Sequence, residues 1–340
     1  MKTVDAARKI SEARENLTRE EAAEVFDEIM SGAAPEAAIA AFLVALKMKG
    51  ATMDELVGAV SILRKRAEFI SAGGRAPIDT CGTGGDGLDT FNISTTSAFI
   101  ASGAGACVAK HGGRAVSGRC GSADVLSELG FNVEASPAVM EHCLQENGIA
   151  FLFAPRMHPA WRHAMPVRRL LGFRTVFNML GPLVNPAGAS GQVLGVFDAR
   201  LTELFARALR ELGSRRALVV HGDDGMDEIT VCGPTRISEL RNGEIRTYEF
   251  RPESVLGECG SFEDLRGGSP AENARKLLSI LRNEDATSAR DICLLNAAAG
   301  IISAGLADGF KEAFSMAKDS LESGRALGKL ETLIKFSREV

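Results

Sequence analysis

The sequence predicts an α/β protein: a small all-helical N-terminal domain plus a larger α/β domain whose mainly parallel central sheet carries an antiparallel edge. Three observations predict it. Before Ser71-Ala72-Gly73-Gly74 the chain reads as capped helices with no strand between them. After that break, short β-like runs alternate with helical segments, as in a parallel sheet covered by helices. Further on, Asn242-Gly243 separates two short runs and is a strong hairpin signal.

Each element has a local reason. Thr18-x-x-Glu21 is a capping box opening TREEAAEVFDEIM. Pro35 starts PEAAIAAFLVALKMK, and Gly50 stands where a glycine closes a helix. Thr52-x-x-Glu55 opens TMDELVGAVSILRKRAE. Beyond the break, strands are expected at 77–80, 106–111 (ACVAKH), 150–154 (AFLFA), 192–198 (QVLGVFD) and 216–222 (RALVVHG). Helices are expected at STTSAFIASG, SADVLSELG, SPAVMEHCLQEN and TELFARALREL. EITVCG, TRISELRNG and EIRTYEF form the antiparallel edge, and helices return from about Pro270. There is no repeat and no low-complexity tract.

Bulk properties exclude several function classes. The 340 residues are 45% hydrophobic and 24% charged, enough for two domains with a large core. A net charge of -5 provides no global basic field, so no nucleic-acid partner is expected. The longest apolar run, Ala37–Leu46, is far short of the ~20 residues of a membrane span. The N-terminus lacks the apolar core of a secretory signal, and the seven cysteines are dispersed without metal spacing. Both point to a cytoplasmic, reduced protein without a membrane partner.

The chemistry concentrates in three loops. IDTCGTGGDGLDTFNIST (78–95) contains Gly82-x-Gly84-x-x-Gly87, the dinucleotide fingerprint. That fingerprint also demands an acid about 20 residues on. Here AFIASGAGACVAKHGGR follows and holds none. Asp86 inside the loop would repel a bare pyrophosphate unless a metal or sugar hydroxyl intervenes. Asn92-Ile93-Ser94-Thr95 offers an amide, two hydroxyls and a helix N-terminus, which favours an anion. A simple helix cap at Ser94 or Thr95 is the alternative.

The second loop, KHGGRAVSGRCGSADVLSELG (110–130), carries Lys110, His111, Arg114 and Arg119 with Ser117 and Ser122. It suits a polyanion or, alternatively, is a solvated surface loop. The third, HGDDGMDEIT (221–230), follows a predicted strand, where ligands sit in open α/β sheets. Magnesium takes one or two carboxylates plus substrate phosphates. Asp227 and Glu228, before an apolar run, are the better ligands; Asp223 and Asp224 also read as turn formers.

In this order, DTCGTGGDG, TFNIST, KHGGRAVSGRCGSADVLSELG, LGFRTVFNMLGPLVNPA and DGMDE closely resemble the anthranilate phosphoribosyltransferase family of the tryptophan pathway. The resemblance covers roughly Met1 to Val340. It implies transfer of phosphoribosyl from phosphoribosyl diphosphate to anthranilate, with Mg2+ and release of pyrophosphate. It also implies a nucleoside phosphorylase-like fold. A helical dimerisation domain would span 1–72, joined by about 166–186, and an α/β domain would span 73–340. A homodimer is implied, with other tryptophan-pathway enzymes as further partners.

Carried over residue by residue, the resemblance assigns the diphosphate loop to Gly82, Gly85 and Asp86, with Thr90 nearby. Asn92, Ser94, Thr95, Lys110, Arg114, Ser117, Gly118 and Ser122 would contact phosphoribosyl diphosphate. Ser94, Asp227 and Glu228 would hold Mg2+. Arg168 would meet the anthranilate carboxylate; from the residues alone it is equally a helix-surface arginine, since Arg169 stands beside it. His111, His158, Gly82 and Gly113 would line the anthranilate path, and Lys110 and His111 are the catalytic candidates. Two departures stand out. Gly113 replaces the family's usual asparagine in KHGN, and Trp161-Arg162 replace the usual Met-Lys after His-Pro-Ala. Weaker or altered acceptor binding is expected. The resembled fold also houses pyrimidine nucleoside phosphorylases, which would lack the DGMDE pair.

Overall fold

The computed structural model describes residues 1–115 and 119–339. The chain divides into two compact units. One comprises Met1–Glu68 and Pro155–Pro186; the other comprises Phe69–Ala154 and Ala187–Val340. The segment that returns to the helical unit thus begins at Pro155, upstream of the expected 166.

The helical unit opens with α1 (Lys2–Ala13), α2 (Arg19–Met30), α3 (Glu36–Lys49) and α4 (Met53–Lys65). Both expected capping boxes form. Thr18 Oγ1 accepts from Glu21 N while Thr18 N donates to Glu21 Oε2. Thr52 and Glu55 do the same. The buried Glu55 carboxylate also accepts from Leu17 N and Lys49 Nζ at 2.9 Å each, so the cap of α4 is satisfied on every side. Apolar faces close over Phe26, whose ring meets Phe42 at 5.9 Å and Phe177 of the returning segment at 5.8 Å. Such edge-to-face contacts add to the area buried.

The α/β unit is built on a seven-stranded sheet of order β3-β2-β1-β4-β5-β6-β7. Its strands are β1 (Ile78–Gly82), β2 (Val108–Gly112), β3 (Ile149–Phe153), β4 (Gly191–Gly195), β5 (Arg216–Gly222), β6 (Thr235–Arg241) and β7 (Glu244–Phe250). Pairings among β1–β5 are parallel; β5–β6 and β6–β7 are antiparallel. β3 and β4 are buried throughout, as expected of strands covered on both faces. β7 is a charged, mostly exposed edge, which discourages pairing with another chain. The turn between β6 and β7 is Asn242-Gly243, with φ of 53° and 81°, the positive pair that a tight hairpin requires.

The expected strands appear within a residue or three of their predicted ends, with one exception. EITVCG is irregular, not an edge strand. Side chains satisfy its backbone in place of a ladder. Asn296 accepts from Ile229 N and donates to Ile229 O at 2.9 Å each, and Thr235 Oγ1 accepts from Thr230 N. Crossover helices include α5 (Ile93–Gly103), α6 (Ser122–Glu128) and α7 (Pro137–Asn147). The helix Ser288–Ser303, apolar almost all round, packs on α5 inside the unit.

Candidate active site

The sheet order places a topological switch at β1 and β4: connections leave β1 toward β2 and β3, and leave β4 toward β5. Ligands in open α/β sheets bind outside the strand carboxyl ends at such a switch. Here both strands end in glycine, and Gly82 and Gly195 are register partners. Asp227 fills the space above them. A Cβ at Gly82 would lie 2.4 Å from Asp227 Oδ2, and one at Gly195 would lie 1.6 Å from the Asp227 carbonyl oxygen. Only glycine permits that approach.

Backbone groups then hold the carboxylates. Gly84, at φ 65°, donates its N–H to Asp227 Oδ2 at 2.9 Å. Ser94 N, in the first turn of α5, donates to Glu228 Oε1 at 3.1 Å. Asp86 lies close enough to raise the pKa of both acids. Burial, reinforced by Asp86, lifts Asp227 to about 7. Burial and Asp227, opposed by Lys110, lift Glu228 to about 8. Such values mark carboxylates crowded together without enough positive charge, a common sign of a functional site. Asp227, Glu228 and the Ser94 hydroxyl form an all-oxygen donor set, which fits a hard divalent cation. Among the described residues no three His, Cys, Asp or Glu side chains form a ready-made metal cage. Two carboxylates with a hydroxyl are the kind of small oxygen set that magnesium takes alongside waters and substrate phosphates.

Lys110, on β2, is buried beneath this cluster. Its Nζ donates to the Thr80 carbonyl at 2.5 Å and the Ser94 hydroxyl at 3.3 Å. Burial pulls its pKa down, against Asp79, Cys81 and Glu228. His111 follows on the same strand, and its backbone N–H donates to the buried Asp79 at 3.1 Å.

The remaining predicted polyanion contacts converge on the same loops. Thr95 Oγ1 donates to Ser122 Oγ at 2.9 Å, joining the start of α5 to the start of α6. Asn92 donates to the Cys120 carbonyl at 3.2 Å and accepts from Asn273 Nδ2 at 3.0 Å. Thr90 bridges to Arg266. Gly85 adopts φ 80° beside Asp86. Arg114 is paired with Asp124 at 2.9 Å. Burial raises the Asp124 pKa, but the N–H groups of Ala115 and Gly121, with Arg114, outweigh it and hold the carboxyl low. A Cβ on Gly113 would meet nothing within 4 Å. Ser117 and Gly118 lie outside the described residues.

A second cluster lies within the helical unit and contains His158 and Arg168. His158 is buried, and burial lowers its pKa to about 4, leaving it neutral near pH 7. Its ring meets Trp161 at 5.6 Å, and Trp161 meets Phe177 at 5.6 Å. The Arg168 guanidinium lies over both aromatic rings, 5.8 Å from Trp161 and 5.1 Å from Phe177. Arg169 is exposed. Arg168 is therefore not the plain surface arginine that its neighbour allowed.

Three supporting residues escape a sequence reading. Gly195 had one signal, a glycine within an apolar strand. Asn296 fixes the backbone next to Glu228 from a distant helix. Asn273 holds Asn92 while its Oδ1 accepts from Gly268 N at 2.8 Å. A buried asparagine inside a helical pattern was the only hint of either.

Comparison with known proteins follows this geometry. The model of the glycosyl transferase family a/b domain matches residues 74–327, and that of the family's helical bundle domain matches residues 4–67. An anthranilate phosphoribosyltransferase of Syntrophobacter fumaroxidans is 51% identical over 335 residues, 98% of this chain and 99% of that protein. A crystal structure of anthranilate phosphoribosyltransferase from Thermus thermophilus is 41% identical, with a TM-score of 0.93 over 100% of both chains. The Saccharomyces cerevisiae enzyme, solved in complex with PRPP and Mg, is 27% identical with a TM-score of 0.91, covering 99% of this chain and 98% of that one.

Proposed function

The chain belongs to the glycosyl transferase family, among the anthranilate phosphoribosyltransferases, and from that premise we propose how its residues divide the work. The reaction moves phosphoribosyl from phosphoribosyl diphosphate to the amine of anthranilate and releases pyrophosphate. The observation that carries the division is Asp227-Glu228, buried at the switch point and held by N–H groups of the Gly84 loop and of α5.

In this reading the loops after β1 and β2 bind the donor. Gly82, Gly85, Asp86 and Thr90 surround its diphosphate and ribose. Asn92, Ser94, Thr95, Arg114, Ser117, Gly118 and Ser122 supply donors to its phosphates. Magnesium held by Asp227, Glu228 and Ser94 would supply charge neutralisation for the diphosphate. Breaking the bond from the anomeric carbon leaves positive charge on the ribose, as in glycoside hydrolysis, and negative charge on the leaving oxygen. Lys110 acts on that charge through the Ser94 hydroxyl it supports. The acceptor is an aromatic amine, already neutral, so attack needs no strong base. His111 is the proposed acceptor of the proton lost afterwards. Arg168 and His158 hold anthranilate, and most of the rate comes from positioning.

We also propose a cytoplasmic homodimer in tryptophan biosynthesis, open to contacts with other enzymes of that pathway. No helix among the described residues is long and apolar enough to cross a membrane. Within the helical unit Met48 is 85% exposed and Leu170 80% exposed, large apolar side chains of the kind that self-association covers. The direct test mixes the protein with phosphoribosyl diphosphate and Mg2+ and follows anthranilate fluorescence. Loss of fluorescence that requires all three components is expected. No loss, or turnover of thymidine with phosphate instead, overturns the reading.

A further inference from the structure

A row of three hydrogen bonds links the loops of the α/β unit, and main chain fixes its direction at both ends. It starts where 265–268 runs beside the loop after β1. Phe91 N donates to Leu265 O at 3.0 Å, and Gly267 N donates to Asp89 O at 2.8 Å. The helix Pro270–Leu281 follows at once, opened by a capping box between Ser269 and Glu272. Its first turn carries Asn273, which is 3% exposed. Asn273 Oδ1 accepts from Gly268 N at 2.8 Å, and Asn273 Nδ2 donates to Asn92 Oδ1 at 3.0 Å. Asn92 Nδ2 then donates to the Cys120 carbonyl at 3.2 Å.

The oxygen and nitrogen of a side-chain amide fill almost the same space, so an amide can be turned end for end. Here neither one can. A backbone N–H only donates, so Gly268 must face the oxygen of Asn273. That sets the Asn273 nitrogen toward Asn92, which has to answer with its own oxygen. A backbone carbonyl only accepts, so Cys120 demands the Asn92 nitrogen, and the two ends agree. Asn92 is the N-cap residue of α5, yet its side chain makes no cap bond, so the helix does not orient the amide instead. Asn92 is half-buried, and its nitrogen carries a second hydrogen beyond the one given to Cys120.

We propose that Asn273 is a positioning residue for the donor substrate: it sets the amide of Asn92 so that an N–H, and not the carbonyl oxygen, meets a phosphate oxygen. The proposal rests on the reading that Asn92 contacts phosphoribosyl diphosphate. Phosphate oxygens are strong acceptors, so the two settings of Asn92 are far from equivalent. One gives a charge-assisted hydrogen bond, and the other points a lone pair at an anion. The row makes that choice before the ligand arrives, so binding does not have to order the amide.

The test is Asn273→Asp, which keeps the shape and the bond from Gly268 but offers Asn92 an acceptor in place of a donor. Asn92 then has to turn, which sets its oxygen against the Cys120 carbonyl or toward the phosphates. Calorimetric titration of phosphoribosyl diphosphate with Mg2+ is expected to show a Kd raised about tenfold or more, the scale of one hydrogen bond to a charged group. The KM for phosphoribosyl diphosphate should rise with it, while the KM for anthranilate stays within about twofold. Asn92→Ala separates positioning from a general effect on the fold. In that background Asn273→Asp has no amide to misdirect, so the donor Kd should change by less than about twofold. Parental donor affinity in a folded Asn273→Asp protein, or an equal loss in both backgrounds, overturns the proposal. Should aspartate there prevent folding, Asn273→Ser, too short to bridge Gly268 and Asn92, reads the same question. It is expected to weaken donor binding about threefold, the scale of a neutral hydrogen bond, and only while Asn92 is present. Parental affinity in that variant is equally fatal. A parent that binds the donor but leaves anthranilate unconsumed counts against the assigned reaction and not against Asn273; a parent that binds no donor overturns both.

Discussion

The two clusters are built of different materials. In the α/β unit the carboxylates are aimed by main chain: N–H groups of Gly84 and Ser94, and the bare strand ends at Gly82 and Gly195. In the helical unit the second cluster is built of side chains only, with the Arg168 guanidinium leaning on the ring faces of Trp161 and Phe177. A polyanion with its metal needs fixed charges and dipoles at sub-ångström precision, and strand ends joined to a helix N-terminus provide that. An aromatic acid needs surface and one cation, which packed side chains provide with looser geometry. Damage to the first cluster should therefore abolish chemistry, while damage to the second should mainly shift affinity.

The strongest attempt to break this contrast is Asp227→Asn combined with Glu228→Gln. Mg2+-dependent turnover is expected to fall by about 10³-fold or more, while the circular dichroism stays native. Magnesium pyrophosphate is expected to raise the unfolding midpoint of the parent but not that of the double variant. Full activity in the double variant refutes the metal assignment. Next comes Gly195→Ala, which pushes a methyl into the Asp227 carbonyl. Overpacking of this kind costs about 1–3 kcal/mol, and the activity should fall about a hundredfold because the carboxylate moves. A destabilised Gly195→Ala protein with parental magnesium dependence would show that Asp227 is aimed by other means.

The helical unit offers a test by pH. Burial holds His158 at about 4, below its ordinary value of about 6.5. Between those values the unfolded chain binds a proton that the folded chain does not, so stability rises with pH. It is full above about pH 6.5 and is lost as pH falls toward 4. His158→Gln should flatten this limb of a plot of unfolding midpoint against pH; an unaltered limb would remove His158 as its cause. The smallest effect is expected from Gly113→Asn. The site has room for the side chain, and an added amide should lower the KM for anthranilate about threefold, a fraction of one neutral hydrogen bond. An unchanged or raised KM would separate Gly113 from acceptor binding.

The same contrast explains what the sequence reveals. Glycines, a helix N-terminus and adjacent acids are dictated by main-chain geometry and desolvated charge, so they stand out as a pattern over 78–95 and 221–230, although neither Ser94 nor Thr95 caps the helix, which has no side-chain cap bond. The capping boxes at Thr18 and Thr52 and the Asn242-Gly243 hairpin are legible for the same reason: each is a local rule of the backbone. EITVCG misleads because its apolar alternation looks like a strand, whereas its partner is the Asn296 side chain from a helix far along the chain. Gly195, Asn273 and Asn296 act through contacts across long sequence separations, which periodicity does not encode. The aromatic cluster carries no motif of its own. Arg168 and Arg169 look alike on paper, and only packing distinguishes the one over two rings from the one in water.

The route of the chain through the helical unit bears on how the protein is made. Phe26 leaves the ribosome early, yet one of its ring partners, Phe177, is synthesised only after all of 69–154. Until then the first four helices lack the segment that completes their core, and their apolar faces stay open. Closing so long a loop is a modest entropic cost, but it imposes an order. The helical unit cannot finish folding before the first three strands of the sheet have been made. Ribosome-bound chains truncated between 68 and 155 should then be the species most exposed to aggregation and most dependent on chaperones.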